Sequence, residues 1–292
     1  MSIAPASLSP LAAAEGLALM LHDWPAPAGA PRAQVLLVHG LGEHAGRSAQ
    51  LAAELRDWGF AVRAYDQRGH GLSGGPRGGL THDSALLDDL AVVMDETRSM
   101  HQQRGQLGLP LILIGHSLGG LVASRFVSLQ LRPVDALVMS SPALDPGLSA
   151  FQKFLVATLP AIAPNLRVNN GLDPRYLSHD PAVVAAYRAD PLVHPKISAR
   201  LASFIATAGP TTVAAAARWH VPTLLLYAGA DHLVNPAGSR AFAAVAGASA
   251  QVQPGTLSAQ VFESHYHEIF NEAPTAAAAV RTALKTWLDE RF

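Results

Sequence analysis

Five short apolar runs alternate along this chain with longer segments of helical period, and that alternation narrows the possible architectures more than any other feature. The runs are Val35 to Val38, Ala61 to Tyr65, Leu111 to Ile114, Ala136 to Met139 and Thr223 to Tyr227. Each is strand-sized and β-branched or Leu-rich, so each reads as a buried strand. A mostly parallel sheet with helices on both faces is the arrangement that hides such strands. An early strand around Leu17 to Trp24 is expected to pair antiparallel, and a last one lies near Ala259 to Phe262. Between strands, Leu86, Leu87, Leu90, Val93 and Met94 mark one apolar helix face, and Leu118, Leu121, Val122, Phe126 and Leu129 mark another. Pro274 opens a final helix whose Val280, Leu284, Trp287 and Leu288 face the sheet.

One connection is too long for this pattern. From Ser141 to Val221 the chain runs for roughly 80 positions, whereas a strand-helix-strand crossover needs a dozen or somewhat more. The surplus implies a helical cap insertion at residues 147–219, flanked by the two parts of one core, residues 1–146 and 220–292. Inside the insertion Phe151, Phe154, Leu155, Leu159 and Ile162 recur at steps of three and four, and Lys153 is the only charge from Leu148 to Pro164. So apolar a helix packs on the sheet domain, lines a hydrophobic channel or touches lipid.

Composition removes several classes of function. With 49% hydrophobic and 15% charged residues the chain is not disordered as a whole. The 21 basic and 22 acidic residues include no Lys/Arg-rich run that could follow a phosphate backbone, which argues against nucleic acid as a partner. Cysteine is absent, so disulfides, thiolate metal sites and cysteine nucleophiles are excluded. The start, Met1 to Ala14, has no Lys or Arg and therefore no positive region of a secretory signal; it reads as a frayed terminus. No apolar run approaches the length of a membrane-spanning helix. The expectation is a soluble, cytoplasmic protein.

Gly115-His116-Ser117-Leu118-Gly119 fits the G-x-S-x-G elbow. The pentapeptide alone is a weak signal, but here it leaves the strand Leu111 to Ile114 and opens the amphipathic helix through Leu129. In such a turn the central residue is strained, and bulk two positions either side would strike the neighbouring strand and helix. The Ser117 hydroxyl would stand above the sheet at a helix N-terminus, where negative charge is favoured. A tight turn with a serine helix cap is the plainer alternative.

A serine hydroxyl attacks only when a base takes its proton and a third group orients that base. Asp231, just beyond Thr223 to Tyr227, is a carboxylate at the carboxyl end of a sheet strand. Asp145, Asp173, Asp180 and Asp190 have no strand end to place them. For the base, His265 and His267 both lie between the last strand and the last helix, and spacing does not choose between them. A His-x-His metal site would lack carboxylate or Cys ligands nearby. Straight after Val35 to Val38 comes His39-Gly40-Leu41-Gly42-Glu43-His44-Ala45-Gly46-Arg47, a small-residue loop able to present the Leu41 N–H. With the Leu118 N–H it would make an oxyanion hole; a Walker-type phosphate loop is excluded by the missing Lys and hydroxyl.

His39 to His44 with Gly46-Arg47, then Tyr65-Asp66-Gln67-Arg68-Gly69-His70-Gly71-Leu72-Ser73, then Gly115 to Gly120, resemble the monoacylglycerol lipase and lysophospholipase-like group of α/β-hydrolases, also described as serine aminopeptidase-like. The likeness extends to Leu172-Asp173 through Leu177-Ser178, to Asp190-Pro191-Leu192-Val193-His194, and to Tyr266-His267-Glu268-Ile269-Phe270-Asn271-Glu272. It implies an α/β-hydrolase fold with a cap, and it selects His267 over His265. It further implies Ser117 as nucleophile, Asp231 as acid and the Leu41 and Leu118 N–H groups as oxyanion hole. Leu41 is bulkier than the small residue some members carry there.

The implied reaction is hydrolysis of an uncharged acyl ester through an acyl-serine, without cofactor or metal. A monoacylglycerol is the first expectation. The alternatives are a lysophospholipase or general carboxylesterase, an aminopeptidase-like amide hydrolase, and a non-catalytic ligand receptor on the same fold. Glu43, His44 and Arg47 are candidates to meet a polar alcohol, or else form a solvated loop face. The apolar cap suggests transient contact with a lipid surface.

Overall fold

The computed structural model describes residues 5–27 and 29–292; the side chains of residues 150, 151 and 153 fall outside the description. Among the described residues ten strands form in chain order: β1 (Ser7–Ala12), β2 (Ala18–Asp23), β3 (Gln34–Val38), β4 (Ala61–Tyr65), β5 (Leu111–His116), β6 (Ala136–Ser140), β7 (Arg167–Asn169), β8 (Lys196–Ser198), β9 (Thr223–Ala228) and β10 (Leu257–Phe262). Eight of them make one sheet in the order β1-β2-β4-β3-β5-β6-β9-β10. It is parallel from β4 to β10, while β2 and β1 are added antiparallel at one edge. The eight helices are α1 (Ala49–Asp57), α2 (Ala85–Gln103), α3 (Leu118–Ser128), α4 (Ala150–Ile162), α5 (Pro181–Ala189), α6 (Ala199–Ala215), α7 (Ala237–Ala248) and α8 (Pro274–Asp289).

The largely apolar character of the parallel strands follows from coverage on both sides. Leu36, Val38, Leu113 and Leu225 enter a core shared with α2, α3, α6 and α7, whereas Val35, Leu37, Ile112 and Leu224 enter a second core shared with α1 and α8. Successive side chains point to opposite faces, so each strand feeds both cores. A buried Leu or Ile contributes roughly 1.5–3 kcal/mol relative to exposure, which is why so few charges appear in these strands. Pro274 stands at the start of α8, and Val280, Leu284, Trp287 and Leu288 are buried against the sheet as expected.

Two expectations change. The start is not frayed throughout: Ser7–Ala12 pairs with β2 from Ser7 opposite Asp23 to Ala12 opposite Ala18. Pro10 is tolerated because the strand lies at the sheet edge, where one side needs no ladder hydrogen bond. Met1 to Ala4 lie outside the described residues. The long excursion after β6 contains α4, β7, α5, β8 and α6, with β7 and β8 forming a separate antiparallel pair. Its last helix rejoins the sheet domain, since Leu201, Phe204, Ile205 and Ala208 of α6 are buried in the same core as α3. The first is different: on α4, Phe154 is 62% and Ile162 82% exposed. Phe151, assigned to the same apolar face, has its side chain outside the description.

Several imidazoles sit where protonation would be costly. His39, His70 and His194 form a ladder, with ring centroids 5.3 Å and 4.8 Å apart. Burial pushes His39 and His194 below the ordinary histidine range and His70 well below it. Burial likewise lowers His101 and His116, whereas His267 is shifted up. For the lowered groups the unfolded chain binds protons below pH about 6.5 that the folded chain refuses, so each removes up to about 1.4 kcal/mol per pH unit as pH falls. His267 works in the opposite sense, one group against five. Stability should therefore decline from pH 7 to pH 5, before Glu43 and Asp66, both held to about 2, begin to titrate. Urea unfolding midpoints across that interval test this, and a midpoint constant from pH 7 to 5 contradicts it.

Candidate active site

Strand β5 passes into α3 through Ser117, whose backbone has φ 53° and ψ −118°. A helix-capping serine has extended backbone and bonds the N–H groups of the first turn. Ser117 has neither feature, for its side chain makes no cap hydrogen bond. The plain turn reading is thereby disfavoured, and the strain is the kind held at functional positions. The flanking glycines have a mechanical reason: a Cβ on Gly115 would strike the Gly119 carbonyl, and one on Gly119 would strike the Val38 carbonyl of β3. Hydrogen bonds from the Ser117 N–H to Ser140 O (2.9 Å) and from the Ala143 N–H to Ser117 O (3.0 Å) fix the turn from both sides.

Asp231 lies in the loop after β9. Its Oδ1 accepts from the Leu233 and Val234 N–H groups at 2.8 Å and 3.0 Å, and its Oδ2 meets His267 Nδ1 at 2.6 Å. Burial opposes the carboxylate, but His267 and the two N–H donors outweigh burial and hold its pKa below the ordinary value. Burial equally opposes a charged imidazole, and Asp231, with help from Glu268 and Glu43, raises His267 above the usual 6.5. His265, the other candidate, faces away: its Nε2 meets the Ala276 carbonyl at 3.2 Å, and its ring packs on Phe262. His232 stacks with Tyr176.

With Nδ1 engaged by Asp231, His267 has Nε2 left for the cavity, of about 280 Å³, that it lines together with Ser117, Leu41 and Leu118. The remaining wall combines apolar side chains, including Leu148, Val156, Leu172 and Ile205, with the polar Gln152, Asn170 and His232. The Leu118 N–H is the first of α3 and has no acceptor within the helix. Among the described residues the Leu41 N–H also has no protein acceptor. Two free N–H groups, an oriented imidazole and a strained serine on one cavity form a set able to remove a hydroxyl proton and hold an oxyanion.

Glu43, His44 and Arg47, the candidates to meet a polar alcohol, are each engaged by protein partners. Glu43 borders a small pocket beside Ser117, but one of its carboxylate oxygens accepts from the Gly40 N–H at 2.6 Å and the other from Arg47. His44 bonds Asp190 at 2.8 Å, and Arg47 is shared between Glu43 and Glu268. Neither His44 nor Arg47 lines the cavity or the small pocket. Sequence reasoning assigned no role to Glu268; its signal was a carboxylate directly after His267. Glu272 is a second such omission, accepting from the Tyr266 N–H at 2.6 Å and so shaping the loop before His267.

Comparison with known proteins gives the family. A family model described as "Hydrolase_4: Serine aminopeptidase, S33" matches residues 29–274. This chain belongs to that family. As a member it is an α/β-hydrolase and a serine ester hydrolase. It is 34% identical over 260 residues to a monoacylglycerol lipase of Mycolicibacterium smegmatis, covering 88% of each chain. Phospholipase YtpA of Bacillus subtilis is 30% identical, with 85% of this chain and 93% of that one covered. Among solved structures, the monoacylglycerol lipase of Paleococcus ferrophilus superposes with a TM-score of 0.81 at 34% identity, covering 94% of this chain and 99% of the other. This hydrolase has no helix, among its described residues, long and apolar enough to cross a membrane.

Proposed function

We propose that this serine hydrolase cleaves monoacylglycerols, with Ser117 as nucleophile, His267 as general base and Asp231 as the group that orients it. The observation carrying the assignment is that the strained Ser117 and the Asp231-paired His267 line one cavity. Ser117 Oγ attacks the ester carbonyl as its proton passes to His267 Nε2. The Leu41 and Leu118 N–H groups stabilise the oxyanion, the protonated imidazole then gives its proton to the departing alcohol, and water releases the acid by the same steps. The apolar part of the wall favours an uncharged acyl chain, and the relatives named above support a glycerol ester. No metal or cofactor is needed for this sequence of steps.

Residues 147–219 act in this reading as the cap over the acyl pocket, since Leu148, Val156, Leu172 and Ile205 come from that insertion. Exposed Phe154 and Ile162 on α4, with exposed Leu166 and Val168 following, suit transient contact with a lipid surface from which substrate is drawn. A cytoplasmic location is part of this reading. Lysophospholipid hydrolysis is the second reading, favoured by the likeness to a phospholipase.

An ester series of increasing chain length tests the reading, run beside a lysophospholipid and an aminoacyl amide of matched size. Each added methylene should raise kcat/KM about fourfold until the cavity is full, from about 0.8 kcal/mol per buried CH₂. Monoacylglycerol should be the best substrate. A preference for lysophospholipid moves the assignment to the second reading, and a preference for the amide refutes both.

A further inference from the structure

The Arg47 guanidinium stands where three parts of the fold meet. From the loop after β3, Glu43 Oε2 accepts from Nη1 at 2.6 Å. From the loop carrying His267, Glu268 receives a two-pronged pair of bonds, Nη1 to Oε1 at 2.5 Å and Nη2 to Oε2 at 2.8 Å. From α5 in the excursion, the Tyr187 ring covers the guanidinium carbon at 4.7 Å. All three polar partners are nearly inaccessible to solvent, with side chains 11%, 10% and 3% exposed for Arg47, Glu43 and Glu268. Glu43 passes the connection on, because its other oxygen holds the Gly40 N–H immediately before Leu41. Glu268 is the chain neighbour of His267, and Asn271 steadies it with a hydrogen bond of 2.9 Å.

We infer that Arg47 is a positioning residue: its shared guanidinium locks the loop presenting the Leu41 N–H to the loop presenting His267, so that oxyanion hole and base keep their relative placement. The inference rests on the proposed role of His267. A planar fork bound to two carboxylates transmits orientation as well as charge, which a flexible ammonium does not. Between them Glu43 and Glu268 bring two negative charges close to His267, and Arg47 offsets part of that charge. The other ionisable groups around this imidazole are Asp231 from the loop after β9 and His116, whose ring centroid is 4.8 Å away. Tyr187 of α5 is pushed up to about 12 by burial and stays neutral.

The signs follow. Without Arg47 the two carboxylates lie uncompensated near the imidazole and favour its charged form, so the low-pH midpoint of kcat/KM moves up. Without the Glu268 charge the same midpoint moves down.

The test is a set of pH profiles of kcat and kcat/KM for the wild type, Arg47→Met, Arg47→Lys, Glu268→Gln and the Arg47→Met/Glu268→Gln double variant. Arg47→Met should lose about tenfold or more in kcat with KM changed less than about twofold, and its midpoint should rise by about half a pH unit or more. Glu268→Gln should move the midpoint down, Arg47→Lys should keep the midpoint near wild type while recovering only part of kcat, and in the double variant the Arg47→Met shift should largely vanish. A purely structural role would lower the active fraction and leave every midpoint in place; that result overturns the proposal. If Arg47→Met does not fold, Arg47→Lys decides, with kcat counted per fluorophosphonate-labelled serine: a lowered kcat with KM and midpoint near wild type supports the proposal, and a wild-type kcat refutes it. A wild-type profile flat to about pH 4 instead overturns the base assignment and the proposal with it.

Discussion

Ser117→Ala should leave about a ten-thousandth of wild-type turnover or less, while the protein folds and binds substrate almost unchanged. The separation of these effects follows from what Ser117 does and does not contribute to the fold. Its side chain caps no helix, and alanine keeps the Cβ, so the unusual backbone at φ 53° is neither relieved nor worsened. Burial and elbow packing are carried by Gly115, Gly119 and the bonds to Ser140 and Ala143, none of which the substitution touches. The hydroxyl is needed only for chemistry. Removing it leaves the oxyanion donors, which account for residual catalysis but cannot form the acyl intermediate. Ester turnover, a thermal melt and labelling by a fluorophosphonate together decide the matter. Wild type should label and Ser117→Ala should not; this also rejects the receptor reading, since only an activated serine reacts. More than about a hundredth of wild-type turnover in a well-folded Ser117→Ala protein would refute the nucleophile assignment.

Local patterns made much of this molecule legible before any coordinates. The parallel strands were readable because both faces are covered, which leaves nearly unbroken apolar runs, and the elbow because steric necessity requires glycine on either side of Ser117. Strand β1 escaped notice because Ser7–Ala12 is an exposed edge carrying Pro10, so it has neither the burial nor the alternation that marks a strand. Spacing could not separate His265 from His267, two residues apart in one loop; only the fold turns one toward Ala276 and the other toward Asp231. The same limit hides the partners of the loop after β3. Arg47 finds Glu268 across 221 positions and His44 finds Asp190 across 146, and no period or motif in a single sequence announces partners so distant. Residues that looked like a polar rim for substrate are engaged in holding three segments together.

Asp231→Asn should cost about four orders of magnitude in kcat, close to the loss from removing the serine, although nearly every atom stays in place. The reason lies in the two N–H groups of Leu233 and Val234, both of which donate to Oδ1. An asparagine at this position keeps its carbonyl oxygen toward those donors and therefore turns its NH₂ toward His267 Nδ1. Two donors cannot face each other, so Nδ1 must become the acceptor and the imidazole proton moves to Nε2. An Nε2 that carries a proton cannot take one from Ser117, and the base is lost through its tautomer rather than its position. Ten-thousandfold corresponds to about 5 kcal/mol of barrier, more than one neutral hydrogen bond supplies, so the magnitude itself distinguishes tautomer control from simple loosening. The pH profile gives an independent check. In the wild type, Asp231 raises His267, so activity requires deprotonation at a midpoint above the usual 6.5 and declines below it. With the charge gone, the residual activity of Asp231→Asn should show its low-pH midpoint displaced downward, and raising the pH should not restore the lost rate. If Asp231→Asn retains a tenth or more of wild-type kcat, or keeps its midpoint, the carboxylate beside His267 does not govern the base.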